Sequence, residues 1–244
     1  GRGAIGYANA NAALAVQLVA LAGLVALHHR TRWHGLAAVA IGVVALLANA
    51  SQGGTATGLI VLAAVVVALL HRGARRRWPP VVLSLGTCML AVAVLMSLAR
   101  RSVWPDWAWT ALSRVRHDMW TAAWAAFRRA ETFGFGPGGY AQVNPWARDA
   151  DTMSAHSLPL QVGAELGGAG LTLLTLIFLC GLAVAARAHT TRAAWITIAA
   201  WAALSAHAFM DHLLEYWPIP LAAGLVLGYG LVAQTHAEAE DQVV

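Results

Sequence analysis

The 244-residue chain has little charge and almost no cysteine. Lysine is absent, since all 16 basic side chains are arginine, and only 11 residues are Asp or Glu. Hydrophobic residues make up 59% of the chain, and the mean hydropathy is +0.62. A soluble domain of this size would carry more charge, so the composition indicates a protein that crosses a membrane several times. Cys88 and Cys180 lie in apolar runs, which favours buried small side chains over a disulfide or a metal site.

The sequence also lacks the short motifs of many soluble enzymes. It contains no Cys-x-x-Cys, no nucleophile elbow and no His-Glu-x-x-His. The glycine-rich run 134–139 lacks the Gly-Lys-Ser/Thr ending of a nucleotide loop and does not follow a strand. A pI near 10 would indicate nucleic-acid binding in a soluble protein. Here the arginines fall in loops between apolar runs, which the positive-inside rule explains better, so no nucleic-acid partner is predicted.

Seven apolar runs predict an all-α, polytopic helical membrane protein. A spanning helix needs about 20 mostly apolar residues. The candidate spans are 6–27, 35–50, 57–71, 80–98, 158–186, 193–213 and 218–234. They divide the chain into four spans in 1–98, a large loop at 99–157, and three spans with a tail in 158–244. Ser51-Gln52-Gly53-Gly54 is interpreted as a tight turn at one membrane face.

The arginines also predict the orientation of the chain. Segments 28–34, 71–79 and 187–192 carry arginine and no acid, and seven spans place all three on one side. That side is expected to be the cytoplasm, so the tail is cytoplasmic and the loop at 99–157 is extracytoplasmic. The N-terminus is then outside as well. Because the chain begins with Gly1 and shows no signal peptide, we expect further spans upstream.

The long loop is predicted to contain an amphipathic helix from about 107 to 129. Its apolar residues recur at three- and four-residue spacing: Leu112, Val115, Met119, Trp120, Ala123, Trp124 and Phe127. Arg116 lies within this apolar stripe, where a guanidinium is costly unless it meets an anion or reaches water. A phosphate would suit it, because the guanidinium donates two parallel hydrogen bonds. A structural ion pair with a nearby carboxylate explains the position equally well.

Five further polar side chains stand out. His156 could act as a general base, because imidazole titrates near neutral pH, although a capping or interfacial histidine is the alternative. Glu165 lies inside the fifth predicted span, which indicates either a functional group or a partner for an arginine. His207, Asp211 and Glu215 are spaced by four residues and should share one helical face. They could bind a divalent metal, but nothing completes a ligand set, so a structural polar cluster is favoured and no metal is predicted.

Several of these features together resemble the C-terminal portion of the O-antigen ligase and O-antigen polymerase superfamily. The family pattern of His-Asn/Ser/Gln, nine residues and Gly-x-x-Gly is matched by His156, Ser157, Gly167 and Gly170. The resemblance extends over nearly the whole chain. Three weaker likenesses support it: Arg116 to Trp120 followed by Gly134-Phe135-Gly136, the entry Gly6-Tyr7-x-Asn-x-Asn11, and Asp211 ahead of Pro218.

The resemblance implies a membrane glycosyltransferase similar to the GT-C type, active in cell-envelope polysaccharide biosynthesis. It would transfer or polymerise glycans from an undecaprenyl-pyrophosphate donor on the extracytoplasmic face of the cytoplasmic membrane, with inversion and without a cofactor. The acceptor would be a glycan or a lipid-linked glycan. In this interpretation His156 would be the catalytic base and Arg116 would bind the pyrophosphate. Glu165, Asp211 and His207 are candidates for polar support, on their positions in the sequence.

One position departs from the family pattern. After the second span the family usually has Ser-Arg-Gly, with the arginine on the lipid pyrophosphate, whereas this chain has Gln52 there. Gln52 can hydrogen-bond a phosphate but brings no charge. Arg100 or Arg101 could supply that charge instead.

Two other classes of function remain open from the sequence. One is a transporter of a lipid-linked or anionic solute, although such proteins more often show inverted repeats and broken helices at mid-membrane. The other is a non-catalytic membrane scaffold, which the glutamine at position 52 keeps open. Ligase and polymerase share their motifs, so the sequence does not choose between them.

Overall fold

The computed structural model describes residues 6–49, 51–70, 114–149, 152–188 and 190–232. Every regular element within these ranges is helical, as the sequence predicts. In chain order the helices are α1 (Ala8–Ala26), α2 (Arg32–Ala48), α3 (Gln52–Leu70), α4 (Arg114–Arg129), α5 (Gly139–Val143), α6 (Leu158–Ala186), α7 (Thr191–Phe209) and α8 (Pro218–Val232). A 3₁₀ turn, Leu213–Glu215, lies between α7 and α8.

Three of the described helices are long and apolar enough to cross a membrane. They are α1 and α3, with 19 residues each, and α6, with 29. Helices α2 and α8 are also apolar but have 17 and 15 residues. The large apolar side chains of α6 are exposed along its second half, Leu173 and Ile177 among them, as expected for a surface that faces lipid. The predicted span at 80–98 lies outside the described residues, and the count of seven spans stays a prediction.

The segment Ser51-Gln52-Gly53-Gly54 is not a tight turn, because α3 begins at Gln52. The Ser51 hydroxyl accepts a hydrogen bond from the backbone N–H of Gly54 at 3.0 Å. The Ser51 carbonyl accepts another from Thr55 at 2.8 Å. Ser51 is therefore a helix N-cap, and the two glycines stand in the first turn of the helix. The interpretation as a turn was wrong because glycine tolerates both conformations.

The predicted helical face shared by His207, Asp211 and Glu215 is also wrong. Helix α7 ends at Phe209, four residues before the predicted end of that span. His207 therefore lies on α7, Asp211 lies in a bend, and Glu215 lies in the 3₁₀ turn. A four-residue spacing places side chains on one face only where the helix continues through them.

The chain divides into two compact units. The first comprises Gly1–Cys88, Cys180–His207 and Leu213–Val244. Its core is built from small and branched residues on several helices, such as Ala20, Val61 and Ile196. Small residues permit close helix packing in membranes, where burial from water does not drive association.

The second unit comprises Met89–Leu179 and Ala208–His212. Its buried core contains Ala123, Ala126, Tyr140, Ala155 and Ala164. The Tyr140 hydroxyl donates to the Met119 carbonyl at 2.8 Å, which joins α5 to α4. Burial raises the pKa of Tyr140 well above its usual value, so the phenol keeps its proton and its role as donor.

Helix α6 is broken at Gly167, where φ is 63° and ψ is −157°. Such a break leaves backbone groups on both sides without intrahelical partners. The loop after α4 supplies the partners in four hydrogen bonds: Phe135 N–H to Ala164 O at 3.0 Å, Gly136 N–H to Glu165 O at 2.8 Å, Gly168 N–H to Glu131 O at 2.6 Å, and Ala169 N–H to Thr132 O at 3.2 Å. The loop therefore completes the hydrogen bonding of the broken helix.

Two glycines permit this close backbone contact. A Cβ atom on Gly167 would meet the backbone of Thr132 and Phe133, and one on Gly134 would meet the backbone carbonyl of Glu165. Both glycines also have positive φ, which L side chains rarely adopt. The Gly-x-Gly turn and the first motif glycine are thus the two sides of one contact, which fixes the end of α4 to α6.

We predict that Gly167→Ala destabilises the second unit, by about 2 kcal/mol or more, since alanine suffers both the left-handed φ and a clash with backbone. The matched control is Gly163→Ala in the same helix, where the new Cβ would meet only side-chain atoms at 3.5 Å. Thermal unfolding of the purified protein in detergent measures both variants. Equal melting temperatures for the two variants would contradict the conclusion that Gly167 is needed for the close backbone contact with the loop after α4.

Candidate active site

His156 stands in a strained turn just before α6. Its φ is 45°, and it is the one non-glycine residue with positive φ in the described part of the chain. A left-handed conformation of this kind costs about 1–3 kcal/mol and persists where the surroundings enforce it. The His156 carbonyl accepts the indole N–H of Trp120 at 3.3 Å. The residue is 7% exposed, so contacts on both backbone and ring hold it in place.

Two polar side chains of α6 support the same turn. The Gln161 amide oxygen accepts the backbone N–H of Ala155 at 2.7 Å. The Gln161 amide nitrogen donates to Glu165 Oε1 at 2.6 Å. Glu165 thus orients the amide that holds the residue before His156, and it does so from one turn further along the helix.

Asp211 reaches His156 from the bend that follows α7. Its backbone carbonyl accepts the N–H of Leu158, the first residue of α6, at 3.2 Å. Its carboxylate is completely buried. His156 Nδ1 lies 3.2 Å from Asp211 Oδ1. The start of α6 and the bend that follows α7 are therefore joined by a backbone hydrogen bond and by the contact between the His156 and Asp211 side chains.

A second histidine contacts the same carboxylate oxygen. His212 Nδ1 lies 2.9 Å from Asp211 Oδ1, and the His212 backbone N–H donates to that oxygen at 2.9 Å. The rings of His156 and His212 pack edge to face with their centroids 4.9 Å apart. An ionised carboxylate only accepts hydrogen bonds, so each neutral imidazole carries its hydrogen on Nδ1. Nε2 is then the basic nitrogen of each ring.

Arg116 approaches the other oxygen of the carboxylate. Its Nη2 lies 3.7 Å from Asp211 Oδ2, and its Nη1 donates to the Met210 carbonyl at 3.3 Å. The structural ion pair that the sequence leaves open is therefore present. The Arg116 side chain is nonetheless 25% exposed. A guanidinium has five N–H donors, so an anion arriving from the exposed side could also bind it.

The three residues His156, Asp211 and His212 could in principle hold a metal ion, because their ligand atoms lie within 4.8 Å of one another. Two imidazoles and a carboxylate are common transition-metal ligands. The guanidinium of Arg116 at the second carboxylate oxygen opposes another cation, however. The separations of 2.9 and 3.2 Å are also those of hydrogen bonds. The arrangement therefore suits proton sharing better than metal binding.

The remaining predicted site residues have different positions. Gln52 is exposed in the first turn of α3, and His207 is buried on α7, both in the first unit. Arg100 and Arg101 lie outside the described residues. A Cβ on Gly170 would meet the side chains of Leu166 and Val162 in its own helix.

Sequence reasoning missed His212 as a site residue. A helix that continued to 213 would turn adjacent side chains about 100° apart, so the sequence pattern gave no reason to pair His212 with Asp211. The early end of α7 removes that constraint and lets both side chains enter the site. The signal in the sequence was His212 directly after Asp211, but the four-residue spacing favoured a group of His207, Asp211 and Glu215 instead.

A protein-family model described as O-antigen ligase matches residues 37–175, more than half of the chain. The matched range includes Arg116 and His156 and ends before Asp211 and His212. A search of curated proteins found no match. The match and the apolar helices together establish that this chain is a membrane protein of the O-antigen ligase family.

Proposed function

We propose that this protein transfers a glycan from a lipid-pyrophosphate donor to a hydroxyl acceptor, with His156 as general base. The observation that carries the proposal is the buried contact between His156 and Asp211, with Arg116 beside the same carboxylate. The family membership supports a lipid-linked glycan and an acceptor in the membrane as substrates. The resemblance adds undecaprenyl pyrophosphate as the donor carrier and the extracytoplasmic face of the cytoplasmic membrane as the place of reaction.

The reaction is a displacement at the anomeric carbon of the donor glycan. The acceptor oxygen forms a bond to this carbon while the bond from the carbon to the pyrophosphate oxygen breaks, which inverts the configuration. Nε2 of His156 takes the proton of the acceptor hydroxyl. Asp211 keeps the hydrogen of the neutral ring on Nδ1 and stabilises the imidazolium that forms.

Arg116 is proposed to stabilise the departing pyrophosphate. Negative charge grows on the leaving group as the bond breaks, and a guanidinium can meet two phosphate oxygens at once. Its contact with Asp211 is long, at 3.7 Å, and its side chain is partly exposed. When His156 becomes cationic, Asp211 gains a second positive partner, which lowers the cost of moving Arg116 toward the phosphate. Gln52, Arg100 and Arg101 are further candidates for phosphate contact.

The same chemistry serves a ligase and a polymerase. A ligase moves the glycan to an acceptor that takes no part in further rounds of transfer, whereas a polymerase adds it to another lipid-linked chain. The two differ in the acceptor and share the base and the leaving group. The products of the reaction therefore separate them.

We predict that His156→Ala abolishes transfer, with a loss of at least about a thousandfold, because the acceptor hydroxyl loses its base. The assay uses the full-length protein reconstituted with an undecaprenyl-pyrophosphate oligosaccharide, and products are resolved by gel and mass spectrometry. His34→Ala, at an exposed position of α2, is the matched control. A ladder of lengthened lipid-linked glycans identifies a polymerase, and a single transfer to a separate acceptor identifies a ligase. Activity that persists in well-folded His156→Ala refutes the proposal.

Asp211→Asn is expected to lower kcat by about 10²–10⁴-fold, because an amide can donate to Nδ1 and so favour the wrong tautomer of His156. The variant changes few atoms and keeps the volume of the side chain. The same reconstituted assay measures kcat, and the melting temperature reports whether the fold survives. A wild-type kcat in this variant would show that Asp211 does not orient the base.

Arg116 is tested with inorganic pyrophosphate as an inhibitor that competes with the donor. Arg116→Lys keeps the charge but loses the planar fork, so the inhibition constant should rise about tenfold. Arg129→Lys is the matched control, since Arg129 lies at the other end of α4 with its guanidinium over the ring of Phe135. Equal inhibition constants in all three proteins would show that Arg116 serves only the ion pair with Asp211.

A further inference from the structure

His212 has no part in the chemistry proposed above, yet it makes the closer of the two imidazole contacts with Asp211. Its Nδ1 lies 2.9 Å from Oδ1, compared with 3.2 Å for His156. The ring is buried, at 8% exposure for the residue. Ser154 Oγ lies 3.2 Å from the same His212 nitrogen, so the ring is held from a second direction.

These contacts fix how the carboxylate of Asp211 is turned. The terminal torsion of an aspartate is broad, and it is decided by the partners of the two oxygens. Here Oδ1 accepts hydrogens from two imidazoles and one backbone N–H, while Oδ2 faces Arg116. The His212 ring thus helps to keep Oδ1 directed at His156.

The same contacts limit how strongly Asp211 attracts a proton to His156. A carboxylate that already accepts other hydrogen bonds has less charge to offer each donor. Within the described residues, the charged and titratable groups in contact with Asp211 include Arg116 on α4, His156 before α6 and His212 beside it. Removal of the His212 contribution leaves His156 as the main imidazole partner of the carboxylate.

We infer that His212 is a positioning residue that orients Asp211 toward His156 and moderates its hold on the His156 proton. This inference rests on the proposed function, since it gives His212 a role only through the base. Like Asp211, His212 lies beyond the residues that the family model matches, because that match ends at residue 175.

Two substitutions separate this role from packing. His212→Phe keeps an aromatic ring against His156 but has no N–H. His212→Asn loses the ring but places an amide N–H where Nδ1 stands, and it does not titrate near neutral pH. Full-length wild type and both variants are compared in the undecaprenyl-pyrophosphate oligosaccharide assay across pH, with melting temperature and gel filtration as checks of folding.

We expect His212→Phe to lower kcat about 10–100-fold, the usual effect of losing a supporting hydrogen bond around a reactive histidine. The acid limb of its pH–rate profile should move to higher pH by about half a unit to one unit, because Asp211 then holds the His156 proton more tightly. His212→Asn should stay within about threefold of the wild type with an unchanged profile. In a His156→Ala background neither substitution should reduce the residual rate further, since the positioned group is gone.

The outcomes distinguish this inference from the proposed function. Activity in His156→Ala refutes the proposed function, and with it this role. If His156→Ala is inactive but His212→Phe has the rate and pH profile of the wild type, this inference is overturned. The proposed function is unaffected by that result. A lower rate with an unmoved pH profile shows a merely structural role, which also overturns it.

Two further controls keep the test decisive. If His212→Phe does not fold, His212→Gln replaces it, because its longer side chain places the amide near the Nε2 position and should lose activity where Asn keeps it. The wild type is also dialysed against EDTA. Activity that is lost and then restored by Zn²⁺ would identify the two histidines and Asp211 as a metal site and overturn the inference. Unchanged activity supports it.

Discussion

The buried carboxylate of Asp211 is the constraint on which the arrangement of the site depends. A charge without exposure is costly unless it is paired and hydrogen-bonded, so the surrounding chain must bring it partners. Arg116, His156 and His212 meet it from α4, from the turn before α6 and from the bend after α7. The same demand explains the left-handed turn at His156, since the hydrogen bond to Asp211 offsets part of its conformational cost. The buried carboxylate of Asp211 thus accounts both for the local structure of the site and for the contacts that the proposed chemistry uses.

A second constraint sets the distances within this arrangement. The break at Gly167 exposes backbone groups of α6, and the loop after α4 satisfies them. The end of α4 is therefore attached to α6, and the Trp120 indole ties the middle of α4 to the His156 carbonyl. Because Arg116 lies one turn before Trp120 on the same helix, its approach to Asp211 follows from this attachment. The glycines act on the site through the backbone contact that they permit between the loop and α6.

The charges of the site also give it an internal balance. Among the described residues, the Asp211 carboxylate faces the guanidinium of Arg116 and the imidazoles of His156 and His212. In the proposed reaction, proton uptake by His156 adds a positive charge beside Asp211 while negative charge grows on the leaving group. Arg116 could then move toward the phosphate without leaving the carboxylate unpaired. A site of this kind needs little rearrangement, because charges move between partners that are already in place.

Local patterns in the sequence were sufficient for the helical class, the membrane character and much of α6. Its predicted bounds of 158–186 agree with the helix Leu158–Ala186, because the length of a continuous apolar run sets the length of the membrane helix. The apolar stripe of the loop also located Arg116 on a helix, and the His-Ser motif placed His156 at the start of the next one. The boundary at Ser51 was misread, because a helix N-cap and a turn favour the same small polar residues.

The partners of these residues were decided by the tertiary structure. Arg116 and Asp211 are 95 positions apart in the sequence, and no periodicity relates positions that far apart. The end of α7 at Phe209 is not marked by a glycine or proline at that point, so the four-residue spacing of His207 and Asp211 suggested a shared face that does not exist. The sequence by itself determined the helical, apolar character of the chain, the bounds of α6 and the residue types available for the proposed chemistry. Only the folded chain decided that His156 and His212 share one carboxylate oxygen, because that pairing follows from where a helix stops and from which buried charge must be neutralised.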